Sequence, residues 1–157
     1  MRHRISRQLL REDMRYRSGV TSIVRRIREL GIETAIATTT KRANIDVYDR
    51  QNFSIMKELP MRENFPLILT RENVRSIKPD PEIYLKALAE LKLPPSDCLV
   101  FEDSLVGVTA AKMAGIPVCS IEEPRSVADL PVIRRMVQKH FSSWTEVFSE
   151  LIDNKSF

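Results

Sequence analysis

The chain has 157 residues, of which 43% are hydrophobic and 29% are charged. This length suits one domain, and the composition argues against a disordered, collagen-like or coiled-coil protein. No stretch approaches the roughly 20 apolar residues of a membrane span. The net charge of +4 is concentrated in residues 1–30, which hold nine Arg against three acidic residues. Because nucleic-acid-binding proteins usually spread basic groups over a face of the fold, this terminal excess predicts a solvated helix face instead.

The cysteine content and the N-terminal charge bear on location. Two cysteines, Cys98 and Cys119, are too few for a disulfide framework. They favour a reducing compartment, and we expect the cytoplasm. The Arg-rich, Lys-free start could instead be a mitochondrial presequence, although Glu12 and Asp13 interrupt it. The sequence therefore predicts neither a nucleic-acid nor a membrane partner.

The first half of the chain alternates predicted helices and strands. Apolar residues at helical spacing from Val20 to Leu30 predict a helix. Ser18 can cap its start, and Gly31 falls where a helix end favours positive φ. The elements that follow are a buried strand, a helix, a short helix or loop, and a second strand, at residues 33–38, 43–49, 51–65 and 66–70.

The second half continues the alternation. Asp80, followed by a proline, can cap a helix that runs to about Lys92. Ser104 opens a helix of small residues that ends at Gly115. The remaining predicted elements are buried strands at residues 98–101 and 116–121, and two short helices from Val132, the last capped by Ser142 or Ser143.

Strands that alternate with helices predict an α/β fold, in which a parallel sheet is covered by helices on both faces. In such sheets, ligands bind outside the carboxyl ends of the strands. The polar residues that directly follow predicted strands are therefore the first candidates for a functional site.

Two adjacent carboxylates, Glu102 and Asp103, directly follow the predicted strand at residues 98–101. Carboxylates at the end of a buried strand are costly unless they are solvated, cap a helix or bind a cation. Magnesium favours one or two protein carboxylates, with waters and phosphate oxygens completing its octahedron. A cap at the helix that begins near Ser104 explains Asp103 equally well, and the two roles can coexist.

Three hydroxyl side chains and two basic residues follow the predicted strand at residues 33–38. Hydroxyls and backbone amides at a strand-to-helix turn suit a phosphate group. Alternatively, the last threonine is only a helix cap, and the basic side chains, which could hold a second anionic group, are ordinary exposed residues. This cluster consists of Thr38, Thr39, Thr40, Lys41 and Arg42.

A lysine is the third candidate. Lys78 precedes Pro79, which favours an extended backbone there. Its ammonium could neutralise a phosphoryl oxygen as a compact point charge. Taken alone, a surface lysine without a partner is the simpler interpretation.

Other chemistries have weaker support. The sequence has two histidines, His3 and His140. Neither lies beside a cysteine or a serine, and neither has the spacing that is typical of metal ligands. Cys98 and Cys119 fall within predicted strands, so we expect inert buried thiols. Four glycines in total make a Gly-rich phosphate loop or a dinucleotide fingerprint improbable.

In chain order, three segments resemble motifs of the haloacid dehalogenase superfamily of phosphohydrolases. AIATTTKRAN is similar to its second motif, KPDPEIYLKAL to its third and CLVFEDSLVGVTAAKMAGIPV to its fourth. The residues of these three segments most resemble those of the phosphoglucomutase-like branch, which includes sugar-phosphate phosphatases. The resemblance implies a Rossmann-like, three-layer parallel sheet and Mg²⁺-dependent phosphoryl transfer from a small phosphorylated metabolite.

The resemblance also implies roles for individual residues. Thr38 would bind the transferring phosphoryl group, assisted by the amide of Thr39, and Lys78 would neutralise its charge. Glu102 and Asp103 would hold Mg²⁺, Asp103 more surely. Three further positions match those that contact the substrate's distal phosphate in some members: Thr40, Lys41 and Arg42.

The first motif of the superfamily, a strand ending in Asp-x-Asp that supplies the nucleophile and the general acid/base, has no counterpart here. None of the eight aspartates is followed two residues later by another, so no nucleophile is found. We therefore expect residues 1–17 to be a remnant of a helical cap. Residues 18–157 would then be an incomplete core that lacks its first central strand.

The expected gap has consequences for folding and activity. The resemblance places the absent strand between the strands that end at Thr38 and Phe101, so its absence would leave two unpaired parallel edges, which an oligomer or a partner chain would have to complete. We expect a truncated phosphohydrolase chain that is inactive by itself. The alternatives are a non-catalytic relative that binds phosphorylated ligands or a protein, and an incomplete gene model.

Overall fold

The computed structural model describes residues 8–153. The Cα positions divide the chain into two compact units. Unit 1 is Met1–Glu72 together with Phe148–Phe157, and unit 2 is Asn73–Val147. The predicted α/β class is confirmed, because each unit combines helices with a parallel sheet. The expected boundary between residues 17 and 18 is not tested and stays a prediction.

Unit 1 contains a two-stranded parallel sheet and short helices. Strands β1 and β2 pair in register from Ala35 opposite Leu67 to Ala37 opposite Leu69. Residues 8–12 are also helical. The elements are α1 (Val20–Glu29), β1 (Ala35–Ala37), α2 (Arg42–Gln51), α3 (Phe53–Glu58), α4 (Met61–Asn64) and β2 (Leu67–Leu69).

Helix α1 forms where the apolar spacing predicts it. Ile23 and Val24 are its buried residues. It ends as expected before Gly31, whose φ of 76° lies in the left-handed region that glycine adopts without strain. The predicted cap by Ser18 is wrong, because Gly19 occupies the N-cap position with a φ of 90° and no side-chain cap bond forms.

The segment at residues 51–65, which the sequence leaves as a short helix or loop, forms α3 and α4. Asn52 separates α2 from α3 and is completely buried. Its Oδ1 accepts a hydrogen bond from the Ile55 N–H at 2.9 Å, which caps α3. Its Nδ2 donates to the carbonyls of Leu10 at 2.8 Å and Met14 at 3.0 Å. The side-chain amide of Asn52 therefore ties the start of α3 to the main chain at Leu10 and Met14.

Unit 2 contains a three-stranded parallel sheet in the order β3-β4-β5. The predicted strands at residues 98–101 and 116–121 are confirmed, although both begin two residues later than expected. The elements are α5 (Glu82–Leu91), β3 (Val100–Glu102), α6 (Leu105–Met113), β4 (Val118–Ile121), α7 (Leu130–Met136), β5 (Lys139–Phe141) and α8 (Trp144–Val147).

Strand β5 lies where the sequence analysis expects only helices. Its three residues become progressively more buried, and Phe141 alone is fully buried. The ring of Phe141 lies 6.4 Å from that of Phe101 on β3. With one buried residue in three, the strand has too short a pattern to be distinguished from a helix.

Side chains cap α6 and α8 and bond to the first turn of α5, whose N-cap residue is Pro81, but no side chain caps α7. Ser104 Oγ accepts from the Gly107 N–H at 3.3 Å, as the sequence predicts for α6. Asp80 Oδ1 accepts from the Glu82 N–H at 2.9 Å at the start of α5. Ser143, rather than Ser142, caps α8, since its Oγ accepts from the Glu146 N–H at 3.2 Å.

The core of unit 2 lies between α6 and the sheet. Val108, Ala110 and Ala111 are completely buried, and the small alanines allow the helix to approach the strands closely. Strands β1 and β3, which the sequence analysis places beside an absent strand, are each an edge strand of their own sheet. No helix among residues 8–153 is both long and apolar enough to cross a lipid bilayer.

Candidate functional site

The predicted site residues fall into two groups, one in each unit. Thr38 to Arg42 form the connection from β1 to α2 in unit 1. Lys78 precedes α5, and Glu102 and Asp103 lie at the end of β3, all in unit 2. The structure brings Lys78 and Glu102 together, as it does Thr38 and Thr40. That all of them serve one phosphoryl group stays a prediction.

In unit 1, the turn after β1 holds Thr38 in a fixed position. The Thr38 N–H donates to the Leu69 carbonyl at 2.9 Å, so the residue continues the pairing of β1 with β2. Its Oγ1 accepts a hydrogen bond from the Thr40 N–H at 3.1 Å. A hydroxyl that accepts in this way retains its own proton for donation, which is what a phosphoryl oxygen requires.

The start of α2 differs from the interpretation of Thr40 as a helix cap. Thr40 does not cap the helix, because Lys41 is the N-cap residue and makes no side-chain cap bond. Instead, the Arg42 N–H donates to Glu72 Oε2 at 3.0 Å. The first amide of α2 is thus bound by a carboxylate of this chain, and contact of Thr40, Lys41 and Arg42 with a distal phosphate stays a prediction.

In unit 2, Lys78, Tyr84 and Glu102 form a buried polar network. The side chains of Lys78 and Glu102 are only 7% and 9% exposed. Lys78 Nζ donates to Glu102 Oε1 and, at 3.0 Å, to the Tyr84 hydroxyl. The Tyr84 hydroxyl also donates to Glu102 Oε1. The interpretation of Lys78 as a lone surface lysine is therefore wrong.

The phenol of Tyr84 belongs to this network rather than to packing alone. Nζ of Lys78 lies 4.6 Å from the centre of its ring. Burial raises the pKa of Tyr84 well above its usual range, and the negative charges of Glu102 and Asp103 raise it further. Tyr84 is consequently a neutral hydroxyl donor at every physiological pH. Sequence reasoning missed this role, because a tyrosine within an apolar helix pattern is more often a packing residue.

Gly107 provides the space in which the Glu102 carboxylate lies. A Cβ at position 107 would lie 1.8 Å from Glu102 Oε2 and 2.2 Å from its Cδ. The carboxylate therefore packs directly against the first turn of α6, on a residue that must be glycine. Oε1 of Glu102 is bound by Lys78 and Tyr84, and Oε2 lies against Gly107.

This geometry separates the two predicted magnesium ligands. Asp103 is exposed at the carboxyl end of β3 and is accessible to an ion. Glu102 is largely buried and pairs with Lys78. The residues described here include no group of three or more His, Cys, Asp or Glu side chains arranged to hold a metal ion. Asp103 is the more accessible of the two carboxylates and suits an ion that takes few protein carboxylates, and the role of Glu102 as a second ligand stays a prediction.

Both thiols are free cysteines, and neither has the character of a nucleophile. Burial raises the pKa of Cys119, and burial together with the charge of Asp97 raises that of Cys98. A raised pKa keeps a thiol protonated, whereas a nucleophilic cysteine needs a lowered one. The polar network and the threonine turn therefore remain the candidates.

Comparison with known proteins decides the family. The model of the haloacid dehalogenase-like hydrolases matches residues 1–121, more than half of the chain. The chain belongs to this family. The resemblance of its three motifs is thereby confirmed, and the sequence relatives and solved structures include its sugar-phosphate phosphatase and phosphoglucomutase-like members.

Three similar proteins illustrate the match. Protein CbbY of Rhodobacter capsulatus is 42% identical over 100 residues, which cover 64% of this chain and 42% of CbbY. A phosphorylated carbohydrates phosphatase of Thermotoga maritima is 32% identical over 114 residues, covering 73% of this chain and 50% of that protein. The crystal structure of a Thermotoga maritima protein assigned as a β-phosphoglucomutase superposes on this chain with a TM-score of 0.70. The two are 27% identical, and the match covers 87% of this chain and 59% of the other. The chain thus spans about half the length of these relatives.

Proposed function

We propose that this chain is part of a Mg²⁺-dependent phosphatase or phosphomutase that acts on a small phosphate ester such as a sugar phosphate. The observation that carries the proposal is the buried network of Lys78, Tyr84 and Glu102 beside the exposed Asp103. A lysine ammonium fixed in a desolvated setting stabilises the charge of a phosphoryl group more strongly than one in water. Membership of the haloacid dehalogenase-like hydrolases supports the same chemistry.

The proposed roles follow the local geometry. The Thr38 hydroxyl and the Thr39 amide bind phosphoryl oxygens in unit 1. Lys78, oriented by Glu102 and Tyr84, neutralises phosphoryl charge in unit 2. Asp103 would hold Mg²⁺, which in such sites binds phosphoryl oxygens and offsets their charge.

We further propose that the 157 residues do not complete the reaction by themselves. None of their eight aspartates belongs to an Asp-x-Asp pair, so the attacking carboxylate and the general acid/base have to come from outside this sequence. A partner chain of different sequence could supply both these residues and an edge strand, whereas a second copy could supply only a strand beside the open edges of β1 and β3.

The test of catalysis uses the purified 157-residue chain with Mg²⁺ and p-nitrophenyl phosphate. We expect no turnover above that of an Asp103→Ala variant. Mg²⁺-dependent turnover that disappears in Asp103→Ala would show that the chain is complete in its chemistry, which contradicts this part of the proposal.

The test of binding uses inorganic phosphate followed by ¹⁵N-¹H NMR. We expect the amides of Thr38 and Thr39 to shift, and a Thr38→Val variant to bind at least about tenfold more weakly, as the loss of a charge-assisted hydrogen bond predicts. Thr21→Val, in α1, is the matched control and leaves the affinity unchanged. Equal affinities for the two variants would remove Thr38 from the site.

The location and assembly of the protein are also proposals. A reducing compartment such as the cytoplasm suits the two free thiols. A partner chain or an oligomer suits the open sheet edges, and light scattering of the purified chain tests the oligomer. A monomer of 18.1 kDa at micromolar concentration would argue against an oligomer that completes the sheet.

A further inference from the structure

We propose that Glu82 is a positioning residue for Lys78, because its carboxylate binds the main chain of the loop that carries this lysine. The loop consists of residues 74–80, which lie directly before α5 and form neither helix nor strand. The inference rests on the proposed function, in which the Lys78 ammonium neutralises a phosphoryl group. Glu82 acts through Lys78 and needs no contact with the substrate.

Two successive backbone N–H groups donate to the Glu82 carboxylate. The Arg75 N–H lies 3.0 Å from each of its two oxygens, and the Ser76 N–H donates to Oε2 at 2.8 Å. Both donors belong to the main chain just before Lys78. Hydrogen bonds to a charged acceptor are stronger than those between neutral groups. Glu82 therefore fixes the path of the chain that leads into Lys78.

Helix α5 holds the same part of the chain at two further points. Lys86 Nζ donates to the Asn73 carbonyl at 3.0 Å, directly before the loop. The Lys78 ammonium itself donates to the Tyr84 hydroxyl at 3.0 Å. The first two turns of one helix thus contact the loop at its start, along its main chain through Glu82, and at the lysine that it carries.

A lysine ammonium has a fixed position only when both ends of the side chain are held, because four flexible methylene groups join them. Tyr84 and Glu102 bind the Nζ end of Lys78. Glu82 binds the main chain from which the side chain departs. If this main chain moved, the ammonium would occupy several positions. A charge stabilises a phosphoryl group most strongly when it is already oriented before the reaction.

The charge of Glu82 suits this role. The N–H groups of Arg75 and Ser76 are the main causes that hold the pKa of Glu82 below its usual value, and the positive charges of Arg75 and Lys86 lower it further. The carboxylate is therefore ionised at neutral pH. Glu82 also lies in the first turn of α5, where an anion stabilises a helix. A contribution to helix stability alone is the competing interpretation.

The experiment follows hydrogen exchange at Lys78 Nζ by ¹⁵N-¹H NMR of the full chain labelled with ¹⁵N-lysine. In the wild type we expect slower exchange than at the exposed Lys57, because Lys78 is buried and bonded. In Glu82→Ala we expect the Lys78 rate to rise about tenfold, the order that one charged hydrogen bond contributes to an equilibrium. The amides of β4 report global unfolding and should accelerate less.

Two further variants isolate the hydrogen bonds. Glu82→Gln keeps one acceptor oxygen but removes the charge, so we expect a smaller rise of the Lys78 rate, of about threefold. An effect of charge on the helix alone would give equal rises in Glu82→Gln and Glu82→Ala. Glu90→Ala, the matched control, removes an exposed carboxylate from the last turn of α5 and should leave the Lys78 rate unchanged. Preserved NMR dispersion shows that each variant is folded.

The outcomes separate this inference from the proposed function. The role of Glu82 is overturned if wild-type Lys78 exchanges as fast as Lys57, if its rate in Glu82→Ala rises no more than that of the β4 amides, or if the two Glu82 variants behave alike. Inorganic phosphate added to the wild type tests the proposed function, which fails if neither the Thr38 amide nor the Lys78 Nζ signal shifts. The exchange comparison uses no phosphate, so it still decides whether Glu82 positions Lys78.

Discussion

The two units hold their buried polar side chains in different ways. In unit 2, Lys78, Tyr84 and Glu102 bond to one another, and two of the three are charged. In unit 1, the neutral amide of Asn52 bonds only to main-chain groups, two carbonyls and one N–H. One arrangement neutralises a charge, and the other fixes the path of the chain.

This difference determines how much stability is lost when one member of each arrangement is removed. Removing one member of a buried ion pair leaves an uncompensated charge in a desolvated site, which costs more than the pair contributed. Removing a buried amide leaves neutral backbone groups without their partner, a smaller penalty for each group. We therefore expect substitutions around Glu102 to destabilise the protein more than those around Asn52.

The largest effect is expected from Gly107→Ala. The new Cβ would lie 1.8 Å from Glu102 Oε2, so the carboxylate has to leave its position and Lys78 loses its counterion. We expect the free energy of unfolding to fall by about 3–5 kcal/mol, the usual cost of breaking a buried pair. Denaturant unfolding followed by the fluorescence of Trp144, in unit 2, measures this change.

A double-mutant cycle provides the control. In a Glu102→Ala background the clash is absent, and alanine within a helix is better than glycine by roughly 0.5–1 kcal/mol. Gly107→Ala should then be neutral or slightly stabilising. An equal loss in both backgrounds would mean that Gly107 serves some purpose other than making room for Glu102.

Asn52→Ala tests the arrangement in unit 1. The variant leaves the carbonyls of Leu10 and Met14 and the N–H of Ile55 without their partner, and we expect a loss of about 2 kcal/mol. Hydrogen exchange should accelerate at the Ile55 amide. Asn44→Ala, on α2, is the matched control, and an equal acceleration in that variant would argue against a specific role for Asn52.

Tyr84→Phe should have a smaller effect than either, because it removes a hydroxyl and keeps both charges of the pair. We expect a loss of about 1.5 kcal/mol from the hydrogen bonds to Lys78 and Glu102. Equilibrium unfolding gives the value, with Tyr48→Phe as a control in unit 1. A Tyr84→Phe protein as stable as the wild type would show that the ion pair needs no hydroxyl.

The sequence was sufficient for the order of elements from α1 to β4, although it missed β5, and for the polar residues that follow β1 and β3. Helical spacing predicted α1 from Val20, and Ser104 predicted the start of α6. The positions that depend on distant contacts could not be predicted. Glu72 meets Arg42 across thirty residues and Glu102 turns towards Lys78 across 24. Neither carboxylate carries a local pattern that indicates its partner.

The smallest expected effect concerns Tyr16 in unit 1, whose hydroxyl donates to the Leu59 carbonyl at 2.7 Å. Burial, and then the charges of Asp49 and Glu58, raise its pKa from 10.0 to about 12. A raised pKa means that the folded state favours the neutral phenol. Its contribution to stability is therefore complete below pH 10 and is lost as the pH rises towards 12.

Comparison with Tyr16→Phe measures this contribution, because titration of the other tyrosines is common to both proteins and cancels. At pH 9 we expect the wild type to be more stable by about 1 kcal/mol, a value reduced by partial exposure of the ring. At pH 12 the difference should approach zero, since the ionised phenolate can no longer donate to Leu59. A difference that is constant between these pH values would show that the hydroxyl of Tyr16 is not held by its carbonyl partner.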